Sequence, residues 1–212
     1  MKKILTLAVL ALFVGMTANA QIGESKSKKI ETTYTTTTTE VEIPGFYHRF
    51  ILGWAPVTFS LDGETETMQG FNTGWIGAWN VTGKRLPMYV EGGLLMNASF
   101  GECISESDKL ISLEMPVNFT YRWNIPNTKI HLAPFFGFHL KVNAAWLDEE
   151  DDDYFDADDT NRVQFGMQLG ANFDLNHFTL GIGWNYDFVP IAEIRKENLI
   201  TSGFRLNVGL VF

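Results

Sequence analysis

The stretch "NRVQFGMQLGANFDLNHFTLGIGWNYDF", Asn161 to Phe188, separates into two sets when read at every second position. One set is Val163, Phe165, Met167, Leu169, Ala171 and Phe173, then Phe178, Leu180, Ile182, Trp184, Tyr186 and Phe188. The other is Gln164, Gly166, Gln168, Gly170, Asn172 and Asp174, then Thr179, Gly181, Gly183, Asn185 and Asp187. A strict period of two predicts β-strand. Eight segments of this kind follow one another, near 46–59, 68–81, 86–99, 110–124, 129–145, 162–174, 177–188 and 199–212. No helical period separates them, which excludes the α/β barrels and doubly wound folds. The connections alternate in length. Those after the second, fourth and sixth segments are short: "TGKR", "IPNT" and "LN". Those after the third, fifth and seventh are longer: "GECISESDK", "WLDEEDDDYFDADDT" and "VPIAEIRKEN". The first connection, "SLDGETET", reads as intermediate. An up-and-down meander whose two ends face different surroundings gives this alternation, as a transmembrane β-barrel does.

Which set faces inward decides what the protein is for. A water-facing set should be rich in Lys and Glu, and the polar set here is not. Eleven strand glycines (53, 70, 74, 93, 137, 166, 170, 181, 183, 203 and 209) fall on the polar parity and two (77 and 92) on the apolar one. Glycine weakens a strand and gains nothing from facing water, but it helps where side chains crowd. The interior of an eight-stranded barrel is just wide enough for side chains. The polar set therefore reads as the lumen and the apolar set as the lipid-facing wall. The expected fold is all-β: an eight-stranded antiparallel up-and-down transmembrane β-barrel over 46–212, with short periplasmic turns and longer extracellular loops. Aromatic residues of the apolar set gather at both ends and predict two interfacial girdles. Phe46, Trp79, Trp123, Phe173, Phe178 and Phe212 mark the short-turn end, and Phe71, Phe100, Trp146 and Phe188 the long-loop end. A soluble barrel of the lipocalin type, apolar inside, is the alternative.

The N-terminus changes the picture of where the chain goes. Lys2 and Lys3, the apolar run Ile4 to Met16 and the Ala18-Asn19-Ala20 junction read as a cleaved signal peptide, 1–20, for Sec-dependent export. The apolar run is too short for a spanning helix. Residues 21–45, with "TTYTTTTTE" at their centre, read as a flexible periplasmic leader. Loss of Lys2 and Lys3 moves the formal charge from −9 to −11, and nine of the acids lie between Asp148 and Asp159. The acidity therefore belongs to one loop. There is no basic patch, so no nucleic-acid partner is expected. Cys103 is the only thiol, so no intrachain disulfide forms.

These features together resemble the small outer-membrane barrels, the OmpA/OmpX-like superfamily, and in particular the "outer membrane protein beta-barrel domain" proteins numerous in Bacteroidetes. The resemblance rests on the signal peptide, the eight alternating strands, the "ANAQ" junction and the terminal Phe212, and covers about 46–212. It implies residence in the Gram-negative outer membrane, with outer-membrane lipids and lipopolysaccharide around the wall. Strand eight resembles the family's C-terminal assembly signal, with polar Arg205, then Leu210 and Phe212. Recognition by the barrel-assembly machinery and periplasmic chaperones is implied. The pattern expects Gly where Asn207 stands. No peptidoglycan-binding domain follows the barrel, so the tethering role of longer relatives is not expected.

The lumen set contains charges of both signs: Arg49, Glu91, Glu114, Arg122, Lys141, Asp187 and Arg205, with His131 and His139. Unpaired charges in a narrow lumen are costly. Counting from the short-turn end predicts a lower Arg49–Glu91–Arg205 cluster and an upper Glu114–Lys141 pair. The acidic loop 148–159 offers carboxylates to Ca²⁺ but lacks the glycine and terminal glutamate of an EF-hand, so a solvated acidic run is the expectation. No cofactor or metal is expected. His139 with Ser105 or Ser107 is the best pairing for an outer-rim hydrolase, yet no motif links them, and no enzyme is expected. The primary expectation is a structural and surface-interaction barrel with a filled lumen. A narrow pore is the alternative, and a lipid-modifying enzyme a weaker one.

Overall fold

The computed structural model describes residues 43–83, 85–103, 107–126, 128–147, 152–156, 160–194 and 196–212. The expected signal peptide and residues 21–42 of the leader lie outside the described residues. The elements in chain order are β1 (Phe46–Trp54), β2 (Val57–Leu61), β3 (Glu64–Asn80), β4 (Met88–Gly101), β5 (Asp108–Tyr121), β6 (Trp123–Asn124) and β7 (Ile130–Leu147). A single 3-10 turn (Tyr154–Asp156), β8 (Val163–Leu175), β9 (Phe178–Asp187), β10 (Ala192–Ile194) and β11 (Glu197–Val211) follow. β1 and β2 are two halves of one barrel strand. Their register is continuous across Ala55-Pro56, since Trp54 pairs with Leu206 and Val57 with Gly203. β11 pairs on its other side with β9. The ring therefore closes through eight antiparallel strands in sequence order, β1/β2, β3, β4, β5, β7, β8, β9 and β11. Closure pairs the backbone polar groups of every strand, which a membrane span requires.

Side-chain direction follows the predicted parity. Phe50, Leu180 and Val208 are 56%, 59% and 55% exposed, whereas Gln168 and Arg205 are 3% and 7% exposed. An apolar outer wall around a buried polar interior is the reverse of a soluble carrier. Inward glycines make room for their neighbours. A Cβ at Gly166 would lie 2.6 Å from Cε1 of His139, and one at Gly183 3.1 Å from Cγ of Arg205. Asn207, where the assembly pattern expects glycine, pairs with Gly53 on one side and Gly181 on the other. Two bare neighbours accommodate its amide.

Two expectations are corrected. The first connection is not an intermediate loop. β2 and β3 pair up to Leu61 and Glu64 around a two-residue turn, with φ of 47° at Asp62 and 85° at Gly63. Two positive φ values give the tight turn that matches strand twist, and Asp-Gly is its signature. The outer ends of these strands run beyond Trp54 and Phe71 and turn Thr58, Ser60, Thr65 and Thr67 outward, polar where the wall below is apolar. Trp146 does not belong to the outer girdle: it is fully buried. Ser112 pairs with Asn143 but Ile111 with Ala145, so Ala144 is an extra residue. A bulge of this kind inverts the parity beyond it and turns Trp146 inward.

Candidate functional site

The lumen is crossed by polar contacts at three levels. Nearest the short turns, Arg49 donates from Nη1 to Glu91 Oε1 at 2.6 Å, and from Nε and Nη2 to the two Asp174 oxygens at 3.3 and 3.2 Å. Arg122 donates to Asp174 Oδ2 at 3.1 Å. The Tyr47 hydroxyl donates to Glu91 at 2.9 Å, and its ring lies 4.8 Å from each of the Arg49 and Arg122 guanidiniums. The face of an aromatic ring attracts a nearby cation. The level is capped by the edge-on Tyr47–Tyr89 pair, 4.8 Å between centroids, and the Tyr89 hydroxyl donates to Pro44 O at 3.0 Å.

At mid-height Arg205 Nη2 donates to both Glu114 oxygens at 3.0 and 3.1 Å. β5 and β11 lie opposite each other in the ring, so this pair spans the lumen. Asn97 donates to Glu114 at 3.3 Å and Gln168 to Asn118 at 2.8 Å.

Toward the long loops, Asp187 accepts from His139 Nε2 at 2.6 Å, and also from Lys141 and Thr201. Gln164 donates to Thr201 at 2.9 Å and receives a bond from Asn143 at 2.9 Å. Above this level the interior turns apolar. Phe59, Met68, Leu110 and Trp146 point in, and Phe155 and Ile191 pack on them from the loops. Phe59 and Trp146 stack with centroids 5.7 Å apart. Asp153 ties the acidic connection to this cap: its Oδ1 accepts the backbone N–H groups of Trp146 and Phe155, and its Oδ2 accepts from Arg162 at 3.1 Å. Partial burial works to raise the Asp153 carboxyl, but these donors outweigh it and hold it below the ordinary value.

Cys103 packs half-buried against the outer cap. Burial first, then the Asp108 and Glu66 carboxylates, push its thiol up to about 12. At pH 8 the thiolate fraction is then roughly a thousandfold below that of a free cysteine. Iodoacetamide at pH 8 is expected to alkylate the folded protein far more slowly than the urea-unfolded chain, as followed by intact mass.

The expected pairings are revised. Arg205 is not in the lower cluster. The register places Arg49 beside Val211, six residues further along β11, so Arg205 sits well above it. Asp174 takes its place. Its parity with Gln164 and Gln168 marked it as inward, but it was absent from the expected charge set. Glu114 and Lys141 are register neighbours, as their strands required. Their side chains nonetheless take different partners, Arg205 and Asp187. Leu210 and Phe212 of the terminal strand point outward, 42% and 58% exposed. Tyr47, Thr201 and the outer apolar cap were not expected, although Tyr47 shares the parity of Arg49.

His139 is committed to Asp187; Ser107 is exposed and Ser105 lies outside the described residues. Among the described residues no group of three or more His, Cys, Asp or Glu is placed to hold a metal ion. Most of the acidic run 148–159, including 148–151 and 157–159, lies outside them.

A closed eight-stranded barrel with an apolar wall and a charged, buried interior defines an integral β-barrel of the outer membrane. The chain belongs to the outer membrane protein beta-barrel domain family, whose model matches residues 6–212. Among solved structures it is similar to the outer membrane enzyme PagL, at 10% identity and a TM-score of 0.50, covering 74% of this chain and 97% of that one. It is also similar to Ail, the attachment invasion locus protein of Yersinia pestis, at 12% identity and TM-score 0.49, covering 80% and 100%. Neisserial surface protein A matches at 13% identity and TM-score 0.47, covering 79% and 96%. No curated protein matches the chain. The likeness to PagL is one of fold. It corrects one expectation: an outer-membrane enzyme shares this architecture, so the barrel gives no ground for ruling out catalysis.

Proposed function

We propose that the protein is a closed barrel with a structural and surface-interaction role, holding its long connections, one of them strongly acidic, at the cell surface. One observation carries this reading: ion pairs cross the lumen at three levels, between an aromatic cap below and an apolar cap above. Buried charges satisfied by partners across the interior fix neighbouring walls to one another. The chain reaches the membrane through Sec-dependent export after loss of residues 1–20. The barrel-assembly machinery, served by periplasmic chaperones, reads Arg205, Leu210 and Phe212. Outer-membrane phospholipid and lipopolysaccharide surround the wall.

Planar-bilayer recording on the refolded protein tests the closed lumen. No steady conductance above the lipid baseline is expected. Tyr47→Ala loosens only the lowest level and is expected to leave the lumen non-conducting, because the Arg205–Glu114 pair and the apolar cap above it remain. Steady wild-type conductance would make the protein a pore.

A further inference from the structure

The lipid-facing wall is not uniform. Between β8, β9 and β11 a groove of about 790 Å³ opens at the short-turn rim, lined by Ile130, Phe173, Phe178, Leu180, Val208 and Leu210, with Gly209 in its floor. A second groove of about 390 Å³ shares Phe173, Leu180 and Val208 and continues it toward Ile182 and Leu206. The two run along β9 from Phe178 to Ile182, roughly 13 Å of strand. With the strand tilted about 35–45°, the grooves reach about 10 Å into a leaflet roughly 15 Å deep. The depression arises from the register. Val208, a short side chain, faces Leu180 across the β9–β11 pair, while the aromatic rings of Phe173 and Phe178 stand beside it.

Charge selects what enters from the rim. The three short turns contain no Asp or Glu and hold or are followed directly by a basic residue (Arg85, Lys129 and His177), whereas the outer connections carry most of the acids. Lys129 and His177 immediately precede Ile130 and Phe178, both lining residues, and both are exposed. The backbone N–H of Asn176 lies 3.5 Å from Lys129 O, which sets the two turns side by side at the mouth of the groove.

We propose that this groove is a binding site for one anionic phospholipid of the periplasmic leaflet, an acyl chain lying along β9 and the phosphate meeting Lys129. The site rests on the membrane orientation given above and adds the leaflet, the headgroup charge and the residues. Full-length barrel inserted into nanodiscs of mixed phosphatidylglycerol and phosphatidylcholine, then released in mild detergent, is examined by native mass spectrometry. One retained phosphatidylglycerol per barrel is expected, enriched over phosphatidylcholine. Lys129→Glu is expected to lower that enrichment at least fivefold. Val208→Phe, which fills the groove, is expected to abolish retention while both variants keep heat-modifiable migration. Equal retention of the two lipids, retention unchanged in Val208→Phe, or a second barrel copy in place of lipid each overturn the site. A barrel that inserts and retains no lipid also removes it but leaves the orientation standing; failure to insert removes the orientation itself.

Discussion

Replacing Glu114 with alanine is expected to lower the unfolding free energy by about 3–5 kcal/mol, the cost of leaving a buried charge without its partner. Arg205 is 7% exposed and has Glu114 as its carboxylate across the lumen. Asp187, on the strand next to β11, already accepts from His139, Lys141 and Thr201. No local rearrangement restores neutrality at mid-height. Urea titration of the refolded barrel, read by heat-modifiable migration, measures the loss. The Glu114→Gln/Arg205→Gln double variant removes both charges and keeps most of the volume, so it is expected to recover most of the stability; the cycle isolates the pair. A loss below about 1 kcal/mol for Glu114→Ala is what a solvent-exposed pair would give, and would mean that the lumen is wet at this level.

The second large effect lies on the opposite face of the same wall. Leu169 is 45% exposed and stands midway between the outward rings Phe165 and Phe173 on β8. Leu169→Arg therefore places a cation near the middle of the hydrocarbon, at a cost of about 2–4 kcal/mol in lipid. Its neighbour Gln168 is buried and donates to Asn118. Gln168→Leu strands that acceptor, at about 1–3 kcal/mol. Both substitutions destabilise, but by different routes. The arginine penalty should be smaller in detergent micelles, where water and headgroups reach the wall, and larger in vesicles, whereas the leucine penalty should not depend on the surrounding amphiphile. Were the wall inside out, Gln168→Leu would be harmless in water and Leu169→Arg would abolish folding outright. Urea titration in vesicles and in detergent separates these outcomes.

The wall was legible because its period is two and its environment differs sharply between the two faces. The number of strands and the face of most of their residues follow from that alone. The site was legible as a set of residues and not as a set of contacts. Parity puts Arg49, Glu91, Glu114 and Arg205 inside, but height depends on strand stagger, and counting from turns ignores it. The pairing Arg49 with Val211 shows how large the stagger is. Lys141 illustrates a second limit: its register neighbour is Glu114, yet a flexible four-carbon stem lets it reach Asp187 instead. Trp146 shows a third. One extra residue, Ala144, inverts the face of the rest of its strand, and no composition signal marks it. The Asp62-Gly63 turn, by contrast, was marked by the dipeptide itself.

The β2–β3 hairpin continues the barrel wall past the outer ring of aromatics, held by ladder hydrogen bonds and the Thr58–Thr67 hydroxyl contact at 3.0 Å. Antibodies or phage tail fibres that meet this tip would grip a stiff, folded shape whose outline is set by the barrel beneath. Antibodies raised against a linear peptide of this hairpin would then bind intact cells poorly.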